Sequence, residues 1–158
     1  IGSDVPFFIY NTKFALGSRR GDKIKPVASL GKLKLWFILI YPNLKVSTPR
    51  IYQKFDAFSG LTRTRCNVKI LTSELLKKGK AFNAQYLIND LEIVTTSLYP
   101  VVNQVKKALS GMGLEKIMMS GSGPAVFALC NGRNQAQDLS RELTKAHKSW
   151  QVFTSSTI

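Results

Sequence analysis

Apolar positions along this chain follow two spacings, and the switch between them marks out its elements. Val5-Pro6-Phe7-Phe8-Ile9-Tyr10 and Phe14-Ala15-Leu16 are apolar runs of strand length split by Asn11-Thr12-Lys13. They predict two short strands around a polar turn. Gly17 to Pro26 reads as a basic, polar connection. Residues 34–41 (Lys34-Leu35-Trp36-Phe37-Ile38-Leu39-Ile40-Tyr41) form a continuous apolar run ended by Pro42-Asn43, the pattern of a central strand covered on both faces. Ser47-Thr48-Pro49 then places a hydroxyl cap before a proline at the first helical position, predicting a short helix to about Phe55. Residues 59–67 have turn-like composition.

Helical spacing follows. Residues 70–78 place Leu71, Leu75 and Leu76 on one side, residues 82–92 repeat this with Tyr86, Leu87 and Leu91, and residues 99–109 with Val101, Val102, Val105 and Leu109. Gly111 and Gly113 stop the last of these. Residues 117–119 and 125–130 are strand-like on either side of Ser120-Gly121-Ser122-Gly123-Pro124. A helix over 134–148, with Ala136, Leu139, Leu143 and Ala146 as its apolar face, and a strand over 150–154 close the chain. The order strand, helices, hairpin, helix, strand predicts an α+β fold, an antiparallel sheet with helices on one face.

With 158 residues, 44% of them hydrophobic, the chain can bury a core for one domain or one domain plus part of another. It opens at Ile1 without a basic-then-apolar leader, and no apolar run nears the roughly 20 residues that span a bilayer. The expectation is a soluble protein with neither a secretory signal nor a membrane span. Cys66, Cys130 and the single His147 share no metal-ligand spacing, so zinc and disulfide frameworks are not indicated and both thiols fit a cytosolic protein. His147, near the end of a helix, reads as a solvated residue facing the helix dipole.

The net charge of +14 raises a nucleic-acid hypothesis. The basic residues are scattered, as in Arg19-Arg20, Lys77-Lys78 and Lys106-Lys107, with no recognisable nucleic-acid motif beside them. Such a surface is usually solvated and would also attract anionic small molecules such as nucleotides.

Two short stretches carry candidate chemistry. Asp4, between Gly2-Ser3 and Val5-Pro6, suits a catalytic carboxylate, a helix cap or a turn. In 120–124 the glycines let consecutive backbone N–H groups converge on an anion, although a tight hairpin corner needs glycine equally. The Walker pattern is absent, and Ser122 lacks the glycines of a nucleophile elbow.

Taken in order, IGSDVPFF (1–8), YPNLKVSTPRIY (41–52), NDLE (89–92) and SGSGPAVFAL (120–129) run over essentially the whole chain. This ordered set resembles the second half of the 4-diphosphocytidyl-2-C-methyl-D-erythritol kinases, a branch of the GHMP kinase superfamily in the non-mevalonate route to isoprenoids. The resemblance implies transfer of the γ-phosphoryl group of ATP, with magnesium, to the 2-hydroxyl of a cytidine diphosphate ester. It places Asp4 as the catalytic residue that accepts or orients the proton of the attacking hydroxyl. Thr48, Pro49 and Tyr52 fall on the cytidine pocket, with Tyr52 stacking on the base, where ordinary packing of Tyr52 in a short helix is the alternative. Gly121, Ser122 and Gly123 match a glycine loop beside the phosphate-binding region, and NDLE a marker on a helix with a structural role.

The resemblance further implies that residues 1–30 end the N-terminal, ATP-binding domain and that residues 31–158 form a ferredoxin-like C-terminal domain. The ATP loop and a basic residue near the carboxylate would belong to the missing N-terminal half, so this chain alone should not catalyse. Arg19 departs from the glycine that the family tends to carry before Gly21-Asp22. Orphaned apolar surface in residues 5–16 would call for that half or for a homo-oligomer. The implied setting is bacterial cytoplasm or plastid stroma. Two other readings stand beside it: a different GHMP small-molecule kinase, which would lack the STPRIY pocket, and, ranked well below, a basic nucleic-acid-binding module with strongly salt-dependent affinity.

Overall fold

A computed structural model describes residues 5–18, 21, 23–57 and 68–157. Its contacts fall into two compact units, one made of residues 1–34, 67–82 and 157–158 and the other of residues 35–66 and 83–156.

In the first unit Val5–Ile9 forms a helix, α1, where two strands separated by Asn11-Thr12-Lys13 are expected. An unbroken apolar run has no alternation to distinguish strand from helix. Pro6, which has no N–H to donate, suits a helix's first turn. The hairpin lies further on: β1 (Ala15–Ser18) pairs antiparallel with β2 (Lys23–Pro26), with Gly17 opposite Ile24. The stretch expected to be an irregular connection thus supplies a strand. A single 3-10 turn at Ala28–Leu30 follows. Helix α3 (Val68–Lys78) confirms the helical spacing of 70–78 and carries a Glu74–Lys78 ion pair at 2.9 Å, four residues apart.

The second unit is built on β3 (Trp36–Tyr41). It pairs antiparallel with β5 (Val126–Cys130), Ile38 opposite Ala128, and with β6 (Gln151–Ser156), Ile38 opposite Thr154. The short strand β4 (Ile117–Met119) joins the far side of β5, giving the order β4-β5-β3-β6. β3 is therefore central, as its sequence suggests. Its burial alternates, however: Ile38 and Ile40 are fully buried while Phe37 and Leu39 are partly exposed. One face packs under the helices α5 (Val101–Gly111) and α6 (Arg133–Ala146), whose Val102, Val105, Leu109, Ala136, Leu139 and Leu143 complete the core with Met119, Val126 and Ala128. Each fully buried aliphatic side chain there contributes about 1.5–3 kcal/mol. Strand, helices, hairpin, helix and strand in this order are the α+β, ferredoxin-like arrangement expected.

The helix expected over 82–92 does not form. The side chain of Asn83 accepts from the Gln85 N–H (3.0 Å) and closes a single 3-10 turn at Ala84–Tyr86. The side chain of Asn89 accepts from the Leu91 N–H (3.1 Å) and leads into helix α4 (Glu92–Leu98). Both asparagines offer the backbone local partners that compete with helical bonding. NDLE accordingly lies at a helix start. Residues 59–67, Arg19 and Cys66 lie outside the described residues.

Candidate functional site

Helix α2 (Thr48–Asp56) and the loop between β4 and β5 meet in the second unit. Pro49 takes an early helical position, where its missing N–H costs nothing. Ser47 is the N-cap, but its side chain makes no capping bond. The helix buries Ile51 and leaves Tyr52 exposed. Across the loop, the hydroxyls of Thr48 and Ser122 are hydrogen-bonded at 2.7 Å, although the two residues are 74 positions apart in the sequence.

The loop is a tight turn closed by the Gly123 N–H donating to the Ser120 carbonyl (2.9 Å) and the Ser120 N–H donating to that of Ala125 (2.8 Å). Gly121 (φ +55°) and Gly123 (φ +80°) both occupy the left-handed region that favours glycine. At Gly123 space is a second constraint, because a Cβ there would stand 2.7 Å from the Met119 sulfur and 3.1 Å from a Thr95 methyl.

Polar side chains hold this turn from the side away from β5. Asn89 Nδ2 donates to the carbonyls of Met119 (2.9 Å) and Gly121 (2.8 Å), and Thr95 Oγ1, fully buried, donates to that of Ser122 (3.1 Å). Glu92 Oε2 accepts from the Met119 N–H (3.0 Å), while Glu92 Oε1 is ion-paired with Lys106. Burial holds the Lys106 ammonium below its ordinary pKa, so loss of water outweighs the carboxylate beside it. Cys130, a buried free thiol on β5, is shifted upward, first by burial and against a weaker backbone hydrogen bond at Ile38.

An open cleft of about 540 Å³ lies against this frame, with Tyr52 and Phe55 from α2, Asn89 and Asp90 before α4, and Ser120 and Gly121 from the loop among its lining. The arrangement offers an aromatic face, hydroxyls and loop backbone around one open space, which suits a flat base with an attached anionic group.

Of the residues singled out from the sequence, Tyr52 and Gly121 line the cleft, while Thr48 and Ser122 are bonded to each other and, like Gly123, are not among its lining. Pro49 sits in the first turn of α2 and does not line the cleft. Asp4 lies outside the described residues. Thr95 went unnoticed in the sequence and Lys106 counted only among the scattered basic residues, because a threonine or a lysine within a helical stretch carries no signal of the bond it will make. Among the described residues no group of three or more His, Cys, Asp or Glu could hold a metal ion. Among the described residues, too, no helix is long and apolar enough to cross a membrane.

Residues 70–149 match the family described as GHMP kinases C terminal. The 4-diphosphocytidyl-2-C-methyl-D-erythritol kinase of Syntrophus aciditrophicus is 36% identical over 157 residues, 97% of this chain and 51% of the relative. That of Moorella thermoacetica is 34% identical over 148 residues, again 51% of its length. This chain thus spans about half the length of the curated relatives it matches. A crystal structure of 4-(cytidine 5'-diphospho)-2C-methyl-D-erythritol kinase superposes with a TM-score of 0.72 at 25% identity, covering 98% of this chain and 53% of that one. Homoserine kinase from Cytophaga hutchinsonii shares the fold, with a TM-score of 0.61 at 23% identity over 78% of this chain and 41% of its own. With its sheet order, its glycine turn and a matched span of residues 70–149, the chain belongs to the GHMP kinase family and is a C-terminal portion of such a kinase.

Proposed function

We propose that this chain is the cytidine-binding half of a 4-diphosphocytidyl-2-C-methyl-D-erythritol kinase, whose N-terminal half supplies the ATP loop. The observation that carries the reading is the hydroxyl bond between Thr48 and Ser122 (2.7 Å), which joins the stretch matching the cytidine pocket to the stretch matching the phosphate-side glycine loop. Tyr52, 52% exposed and lining the cleft, is free to stack on a pyrimidine, and Gly121, which lines the same cleft, is on the side where the diphosphate would follow. The names of the relatives support this substrate.

In the complete enzyme the 2-hydroxyl oxygen of the methylerythritol part attacks the γ-phosphorus of ATP. An O–P bond forms as the bond to ADP breaks, and the hydroxyl proton passes to the Asp4 carboxylate. Magnesium accompanies ATP and lowers the charge on its phosphates. Residues 1–30 end the ATP-binding domain and residues 31–158 form the C-terminal domain. The exposed Phe8 and Ile9 of α1, each 75% accessible, are covered by that N-terminal half or by a second copy. The protein works in bacterial cytoplasm or plastid stroma.

The test is calorimetric titration of this chain with cytidine diphosphate and, separately, with adenosine diphosphate, followed by a kinase assay with and without the N-terminal half. Selective cytidine binding, with phosphoryl transfer only when both halves are present, is expected. Equal affinity for the two nucleotides removes the cytidine assignment. Activity toward homoserine in the complete protein moves it to another GHMP kinase, and indifference to both nucleotides with salt-dependent RNA binding moves it to a nucleic-acid module.

A further inference from the structure

Asn89 lies outside α2 and outside the loop, yet three of its hydrogen bonds decide how the loop's backbone is turned. Both hydrogens of its Nδ2 are used, one on the Met119 carbonyl and one on the Gly121 carbonyl, and its Oδ1 takes the Leu91 N–H. β4 is an edge strand, and Met119 directs its main-chain groups away from β5. There the Met119 peptide groups are held on both sides, the N–H by Glu92 and the carbonyl by Asn89.

The Gly121 carbonyl matters most. In a trans peptide the C=O and the following N–H point in opposite directions. Holding the Gly121 oxygen toward Asn89 therefore turns the Ser122 N–H the other way, and neither this N–H nor that of Gly121 has an acceptor among the described residues. At φ +55°, Gly121 gives the turn a conformation that could otherwise relax, since nothing lies within 4 Å of its Cβ position to block it. The side chain of Asn89 supplies the restraint that local packing does not.

We propose that Asn89 is a positioning residue for phosphoryl transfer: it locks the Gly121–Ser122 peptide so that the free Ser122 N–H stays turned toward the anionic part of the bound substrates. The role rests on the kinase reading above. Asn89 also lines the cleft, but both hydrogens of its Nδ2 are taken by the Met119 and Gly121 carbonyls, so it acts through the loop. An amide donor held without an acceptor on the open side of a glycine turn is suited to take a phosphate oxygen.

The test uses the full-length protein containing this chain, with Asn89→Asp and Glu92→Gln. Asn89→Asp keeps the shape but replaces both donated bonds with an oxygen facing two carbonyl oxygens. Glu92→Gln keeps an acceptor for the Met119 N–H. With Asn89→Asp, kcat should fall about 10- to 100-fold while KM for the cytidine substrate stays within about threefold, because the Tyr52 side of the cleft is untouched. Glu92→Gln should retain most of the activity. Hydrogen exchange, read without substrate, should quicken at least about tenfold at the hydrogen-bonded Ser120 and Gly123 amides of Asn89→Asp and stay unchanged in β3 and α6.

Wild-type kcat in Asn89→Asp overturns the proposal, as does quickened exchange throughout the unit, which marks a general loss of stability. If the wild-type protein does not phosphorylate the cytidine substrate, the kinase reading fails. The exchange pattern then still decides whether Asn89 sets the loop.

Discussion

Replacing Gly123 by alanine separates two physical demands that meet at one residue. The first is conformational: an L-residue at φ +80° enters the left-handed region, at a cost of about 1–2 kcal/mol. The second is space. The new Cβ would stand 2.7 Å from the Met119 sulfur and 3.1 Å from a Thr95 methyl. Met119 is fully buried against the sheet and α5, so its side chain can move only by disturbing a packed core, which costs about 1–3 kcal/mol. Together the loss is about 2–5 kcal/mol, a large part of the roughly 5–15 kcal/mol that stabilises a domain. Gly121→Ala is the internal control, because φ is +55° there but nothing lies within 4 Å of the new Cβ. It should lose only the conformational part, about 1–2 kcal/mol. Urea unfolding followed by the fluorescence of Trp36 and Trp150 measures both, with equal slopes required before midpoints are compared. The expected order is wild type, then Gly121→Ala, then Gly123→Ala. Equal losses in the two variants would refute the argument from space, and a neutral Gly121→Ala the argument from backbone conformation.

Other substitutions probe the core, the cleft and the buried thiol. Leu109→Ala, at a fully buried position of α5, should lose about 2–5 kcal/mol in the same urea assay, and a loss under about 1 kcal/mol means that the core is packed differently. Tyr52→Ala, at an exposed position, should change stability by less than about 0.5 kcal/mol yet weaken cytidine diphosphate binding by about 1–3 kcal/mol in calorimetry; undiminished binding excludes stacking on this ring. Cys130 adds a pH dependence. Its thiol ordinarily titrates near 9.0 and burial raises it in the folded chain, so above that pH the unfolded chain has released a proton that the folded chain still holds. Stability at this site is therefore intact below about pH 9 and falls as pH rises toward the folded value. The fall in urea midpoint from about pH 8 to about pH 10 should be smaller in Cys130→Ala, and identical curves contradict a buried thiol.

Where a side chain's burial repeats with the geometry of its own element, the chain could be read directly. Val102, Val105 and Leu109 on α5, and Leu139 and Leu143 on α6, are buried at the spacings that announced them, whereas Ile38 and Ile40 alternate with partly exposed neighbours in a strand whose unbroken apolar run announced cover on both faces. The α+β order followed from these. What could not be read depends on bonds between side chain and backbone: Asn83 and Asn89 interrupt a stretch whose apolar residues alone spell a helix. Val5–Ile9 failed for another reason, since a run apolar at every position has no period. The candidate site was legible in part. Thr48, Tyr52 and the loop glycines came from an ordered resemblance, and the contact between Thr48 and Ser122 arises only after the sheet has closed. Thr95 and Lys106, which support the same frame, gave no local sign.

The place of β3 in the sheet also governs when this half of the protein can fold. Trp36–Tyr41 is made before either of the strands that flank it, Val126–Cys130 and Gln151–Ser156. Until both arrive, an apolar strand waits with two unpaired edges, and closing loops of this length is slow. The sheet, and with it the turn that faces the cleft, is therefore completed only once Gln151–Ser156 is available to pair. Without Gln151–Ser156 one edge of β3 would be open to pairing with other molecules, so deletion of that strand should be felt first as aggregation during expression.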